Sequence, residues 1–138
     1  MKKNIIGLIL LVAIIVSLAP CAAHAASISG EIDADMSSNY IITKANGAMV
    51  LRYNVATLFL GVRASTDISV SADAVGAAQV RLKAANNTVV VERNTVPQNG
   101  VINSGKAIVS GQIQAESVEH YAYRVVEGIY NNWTYTCK

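Results

Sequence analysis

Cysteine, histidine and proline are nearly missing from this 138-residue chain, which has two of each and a single Trp and Phe. Cys21 and His24 fall within the first 25 residues, so the rest of the chain holds only Cys137 and His120. That excludes an internal disulfide within residues 26–138 and any zinc site assembled from several histidines or cysteines. Charge is sparse too, at 14% Asp, Glu, Lys and Arg against 52% hydrophobic residues. No polybasic stretch, phosphate-binding glycine loop or dinucleotide fingerprint occurs, which argues against nucleic-acid partners and against cofactors.

What is present begins with an export signal. Lys2 and Lys3 open the chain, Ile5 to Val16 is apolar apart from Gly7, and Ala23-His24-Ala25 places small residues around a cleavage point after Ala25. Residues 1–25 are therefore read as a signal peptide and 26–138 as one secreted domain, a length that suits a single core. The same stretch admits two alternatives. One is a retained anchor over Ile5 to Ala26, weakened in its second half by Pro20, Cys21 and His24. The other is a lipoprotein signal at Leu18-Ala19-Pro20-Cys21, where Pro20 occupies a position that normally takes a small, flexible residue. Losing Lys2 and Lys3 takes the basic count from 11 to 9, equal to the nine acidic residues, so the secreted part carries no net charge.

Beyond residue 25 the chain has 15 Val and nine Ile against four Leu, a bias toward β-branched residues that favours pleated sheet. Val62 to Asp73 alternates completely, with Val62, Ala64, Thr66, Ile68, Val70 and Ala72 expected inside. Twelve residues exceed an ordinary strand, so a bend or a crossing between sheets is expected within that run. Further strands are expected at Ser27 to Ala34, Tyr40 to Thr43, Ala48 to Val55, Gln79 to Ala84, Thr88 to Arg93, Ala107 to Glu116, His120 to Val126 and Trp133 to Cys137. Turn residues such as Ala45-Asn46-Gly47, Pro97-Gln98-Asn99-Gly100, Asn103-Ser104-Gly105 and Asn131-Asn132 separate them. No convincing amphipathic helix is found, and Ala72 to Ala78 reads as a connection. Eight or nine short strands in this length predict an all-β fold, a single antiparallel β-sandwich of the immunoglobulin-like kind, with a small β-barrel as the alternative.

Catalysis finds little support. His120 stands beside Glu119 in an expected strand with its side chain outward, and nothing resembles a nucleophile elbow, so the domain is read as non-catalytic. Glu31, Asp33 and Asp35 share one strand face and are read as solvated rather than as a calcium site, which needs six or more oxygens. Aromatics are the uneven feature: Tyr121, Tyr123, Tyr130, Trp133 and Tyr135 fall in the last 18 residues. Tyr130, Trp133 and Tyr135 form the candidate binding surface, because Tyr and Trp join large apolar area to a hydrogen-bonding tip. Tyr121, Tyr123 and Val125 are expected to point inward as packing residues. Cys137, left alone, is a candidate for a disulfide between chains and so for a homo-oligomer.

Leader, alternating strand and tyrosine-rich end together resemble, in layout, the small secreted β-sandwich proteins common in Gram-positive bacteria. Aromatic placement and the missing catalytic groups predict a non-catalytic secreted or cell-surface protein acting in binding, adhesion or surface structure, with an extracellular protein or a cell-surface glycan as partner. A secreted antagonist or membrane-active, bacteriocin-like protein is the alternative, resting on export, small size and the apolar Val55 to Leu60 segment.

Overall fold

A computed structural model describes residues 25–56, 61–110 and 115–138. The expected signal peptide through residue 24, most of the apolar segment (57–60) and residues 111–114 lie outside the described residues. The described residues form β1 (Ala26–Glu31), β2 (Tyr40–Lys44), β3 (Met49–Ala56), β4 (Gly61–Val70), β5 (Ala74–Lys83), β6 (Val89–Asn94), β7 (Gly100–Asn103), β8 (Ala107–Val109), β9 (Ser117–Val126) and β10 (Ile129–Cys137). One turn of 3-10 helix, Ala45–Gly47, joins β2 to β3. No described helix is long and apolar enough to cross a membrane.

The strands make two sheets that face each other across one core. The first runs β1-β10-β9-β5-β6 and the second β2-β3-β4-β7, with β8 also paired to β4. All pairs are antiparallel except β1 with β10, which is parallel. No ladder joins the two sheets among the described residues, so they remain a sandwich-like pair and do not close into the alternative barrel. Met49, Leu51, Ile68, Val80, Leu82, Ile102 and Val118 fill the space between them and are fully buried.

The long alternating run behaves as its pattern requires up to Val70. Ala64, Thr66, Ile68 and Val70 are buried and Val62 is half-buried. The alternation then ends in a turn closed by Ala74 N–H donating to the Ser71 carbonyl at 3.1 Å, and the chain crosses to the other sheet. Ala72, expected inside, sits in that turn and is exposed.

Three other expectations need correction. β5 starts at Ala74, where a connection was expected. Gly76 permits this, because a Cβ there would come within 2.7 Å of the Tyr123 carbonyl on the neighbouring strand and 2.9 Å of Val70 Cγ1. β7 was missed: its four residues lie between two turn-rich stretches, too short to show a period, yet Ile102 is fully buried. The last hairpin turns at Glu127-Gly128, both at positive φ, as a two-residue loop between antiparallel strands demands. Asn131 and Asn132, expected as that turn, lie within β10.

The largest correction concerns β9. Val118, His120 and Ala122 face the core, fully buried, while Tyr121 and Tyr123 point out of the sheet, the reverse of the expected parity. Pairing with β5 sets Leu82, Val80 and Ala78 opposite Val118, His120 and Ala122. The gap of about 10 Å between facing sheets accepts this mixture of small and medium side chains more readily than two tyrosines. The imidazole also finds polar partners inside, described next.

Candidate functional site

Alternation along β9 and β10 decides which aromatics reach solvent. On β10 the odd-numbered residues face the core: Trp133 is 7% exposed, Tyr135 9% and Cys137 0%. Tyr130 belongs to the other parity and is 37% exposed. The three residues singled out from the sequence therefore do not share a surface. Trp133 packs inside under Arg124, whose guanidinium lies 5.4 Å from the ring centre, and Tyr135 lies under the Lys44 ammonium at 5.2 Å. The Arg124 Nε is buried without a hydrogen-bond partner. Cys137 is also internal, and its thiol donates to the Ala34 carbonyl at 3.0 Å. Burial pushes that thiol's pKa up. A disulfide to a second chain requires the end of β10 to lift from the core.

Tyr130 instead joins Tyr121 and Tyr123 on the outer face of the first sheet. Register places Tyr123 beside Asn132 of β10 and Ala77 of β5, and Tyr121 beside Thr134 and Gln79. The rings of Tyr123 and Tyr130 lie 5.2 Å apart at 32°, and those of Tyr121 and Tyr123 6.3 Å apart at 49°. The Tyr121 and Tyr130 hydroxyls are hydrogen-bonded to each other. Partial burial and that bond raise the Tyr121 phenol's pKa. A depression of about 160 Å³ adjoins the rings, bordered by Ala77, Gln79, Asn94 and Thr95. Gln79, Asn94 and Thr95 escaped sequence reasoning, since only the β5–β6 and β5–β9 registers bring them beside β9. Ring faces and amide groups side by side can stack on C–H surfaces and exchange hydrogen bonds with hydroxyls.

The same sheet is charge-balanced further along. Arg81 pairs with Glu92 at 2.7 Å and Glu119 at 3.1 Å, and Lys83 with Glu119 at 2.6 Å. The rings thus border a neutralised row and carry no net charge of their own.

The interior holds the one described histidine, and the geometry commits it to structure. His120 Nε2 lies 2.8 Å from the Tyr40 hydroxyl and Nδ1 2.9 Å from the Thr66 hydroxyl, so both nitrogens are occupied. Tyr40 and Thr66 belong to the second sheet, so this link ties the sheets together through the core. Tyr40 stacks on Tyr53 at 5.2 Å, and the Tyr53 hydroxyl donates to the Met36 carbonyl at 2.9 Å. Burial lowers the His120 pKa from 6.5 to about 3 and raises that of Tyr53 to about 12. The surface imidazole expected from the sequence is thus an internal, neutral one.

Among the described residues no three His, Cys, Asp or Glu side chains converge on a point that could hold a metal ion. Glu31, Asp33 and Asp35 are all exposed, and Asp35 accepts from Ser37 N–H at 2.8 Å to close a tight turn. A wider cleft, of about 570 Å³, opens on the outer face of the second sheet. No family model, curated protein or solved structure matches the chain.

Proposed function

We propose that this protein is a non-catalytic, exported binding domain that engages a neutral glycan through Tyr121, Tyr123 and Tyr130. The observation carrying this reading is the outward clustering of three tyrosines on β9 and β10, where the core does not need them. Amide side chains at Gln79, Asn94 and Asn132 flank the rings, a combination suited to sugar rings, which offer C–H faces and hydroxyl edges together. Lack of net charge around the rings favours an uncharged ligand. The enclosed position of His120, with both nitrogens occupied, supports the non-catalytic part of the proposal.

Export is part of the same reading and rests on the leader of residues 1–25. The immunoglobulin-like assignment belongs here too. Its support is the pairing of the final hairpin with β5, the parallel β1 at its edge, and the crossings from β4 to β5 and from β8 to β9. On that assignment, the Thr66–His120 bond stands where a disulfide bridges the sheets of antibody domains.

Retention of the purified domain on insoluble cell-wall polysaccharide tests the proposal, with Tyr121→Ala/Tyr123→Ala/Tyr130→Ala as the variant. Loss of retention by about tenfold or more, with an unchanged far-UV dichroism spectrum, is expected for a hot-spot cluster of this kind. Retention equal to wild type removes the tyrosine face from consideration. Dye release from vesicles at micromolar protein would instead support a membrane-active protein.

A further inference from the structure

The second sheet's outer face carries a different chemistry. Two rows of side chains cross its strands. Register sets Ile41 beside Arg52 and Arg52 beside Ser65, and extending the β4–β8 ladder by one residue brings Lys106 next to Ser65. The second row contains Asn54, Arg63 and Ile108. Ser65 is the short residue between two long ones, and it is 5% exposed although it lies on the outer face. The floor therefore sinks at Ser65 between cationic walls, and the cleft of about 570 Å³ follows. That volume falls within the range of ligand sites, about 300–1,000 Å³.

The charges are unbalanced. Arg52 shares Asp67 at 3.4 Å, whereas Arg63 and Lys106 have no carboxylate within ion-pair distance among the described residues, which include every Asp and Glu of the chain. A domain with no net charge after loss of its leader thus concentrates three cations against one acid on this face. Guanidinium groups suit carboxylates because two parallel N–H donors match two oxygens. Apolar contact at the rim comes from Ile41, 70% exposed, and just outside the lining, beside Arg63, from Ile108, 49% exposed. Branched aliphatic side chains offer no flat ring face to a sugar but pack well against apolar residues of a peptide. From β2 to β8 the cleft crosses three strand spacings, about 14 Å, which an extended peptide covers with about four residues.

We infer that this cleft binds an acidic polypeptide segment, its carboxylates held by Arg52, Arg63 and Lys106 and its apolar side chains seated on Ile41 and, next to the cleft, on Ile108. The site is separate from the tyrosine face, so one domain can hold a glycan on one sheet and an acidic protein on the other. That two-sided grip is what a protein tying a matrix together requires.

Calorimetric titration of the wild-type domain at low ionic strength tests it, with poly-L-glutamate, polygalacturonate and polyphosphate as probes. Poly-L-glutamate is expected to bind tightest, and more weakly as salt rises. Arg63→Gln/Lys106→Gln should weaken it at least tenfold, and the tyrosine triple variant should leave it unchanged. Both substituted cations are exposed, so the fold survives the change; a charge reversal, Arg63→Glu, should abolish binding. No binding of poly-L-glutamate, or equal affinity in the double variant, overturns the proposal. Tighter binding of polygalacturonate or polyphosphate overturns its polypeptide part and makes the cleft a site for another anion.

Discussion

The two faces of β9 hold polar side chains under opposite conditions. Toward the core, His120 has no exposed surface and two hydrogen bonds to hydroxyls of the other sheet. Toward solvent, its neighbour Glu119 holds Arg81 and Lys83 in a network whose side chains are 35%, 11% and 17% exposed for Arg81, Lys83 and Glu119. Inside, the groups are neutral and each lost bond leaves a partner stranded away from water. Outside, the groups are charged, yet water can replace much of what a lost partner supplied. Energetic weight therefore follows burial more closely than formal charge, and the cross-sheet link is where this fold is most easily broken.

Replacement of His120 should have the largest effect. His120→Ala empties a buried position and leaves the Tyr40 and Thr66 hydroxyls without their partner, so a loss of about 4 kcal/mol is expected. Urea denaturation would measure it. A loss under about 1 kcal/mol would mean that the two hydroxyls find other partners at little cost. The domain has no internal disulfide beyond residue 25 to compensate.

Acid should act through the same residue. Burial holds the folded imidazole's pKa down at about 3, while the unfolded chain takes up the proton near 6.5. Between those values the unfolded state binds more protons, so stability is complete above pH 6.5 and falls as pH drops toward 3. Asp35 and Asp73 act lower on the scale. Hydrogen bonds from Ser37 and Ser71 hold their carboxyls below the ordinary 3.8, so what they add to stability is lost only under stronger acid. Melting temperature followed from pH 7 to pH 3 should begin to fall near 6.5, and His120→Gln should remove the fall above about pH 4. A flat profile in the wild type between pH 7 and 4 would contradict a neutral, buried His120.

The parity of β9 also marks the limit of what the sequence could reveal. Alternation along β4 identified its buried side correctly, because Ala64, Thr66, Ile68 and Val70 oppose polar neighbours of clear character. β9 reads Val118-Glu119-His120-Tyr121-Ala122-Tyr123, where either side contains apolar or amphipathic residues, and hydropathy alone favours burying the larger rings. What reverses it is non-local: Tyr40 and Thr66, 80 and 54 residues away, supply the imidazole's partners. Tyr130, Trp133 and Tyr135 read alike in the sequence, as aromatics near the end of the chain, and only the parity of β10 separates the exposed Tyr130 from the buried Trp133 and Tyr135. The cationic cleft was not legible at all, since Arg52, Arg63 and Lys106 are scattered in sequence and meet only through the β3–β4 and β4–β8 ladders.

The outer face yields the smallest expected change, and its size sharpens the contrast. Glu119→Gln removes a carboxylate shared by two cations, one of them the nearly buried Lys83, with bonds of 3.1 and 2.6 Å. Arg81 keeps Glu92 and Lys83 keeps an amide oxygen, so a loss of about 1 kcal/mol at low salt is expected, shrinking as ionic strength rises. Glu31→Gln breaks the Lys138 pair, which spans 3.5 Å with both side chains more than two-thirds exposed, and should leave the unfolding midpoint where it was. If Glu119→Gln costs as much as His120→Ala and the cost persists in high salt, Lys83 behaves as a buried charge whose partner cannot be replaced by solvent. The outer network would then belong, energetically, to the interior.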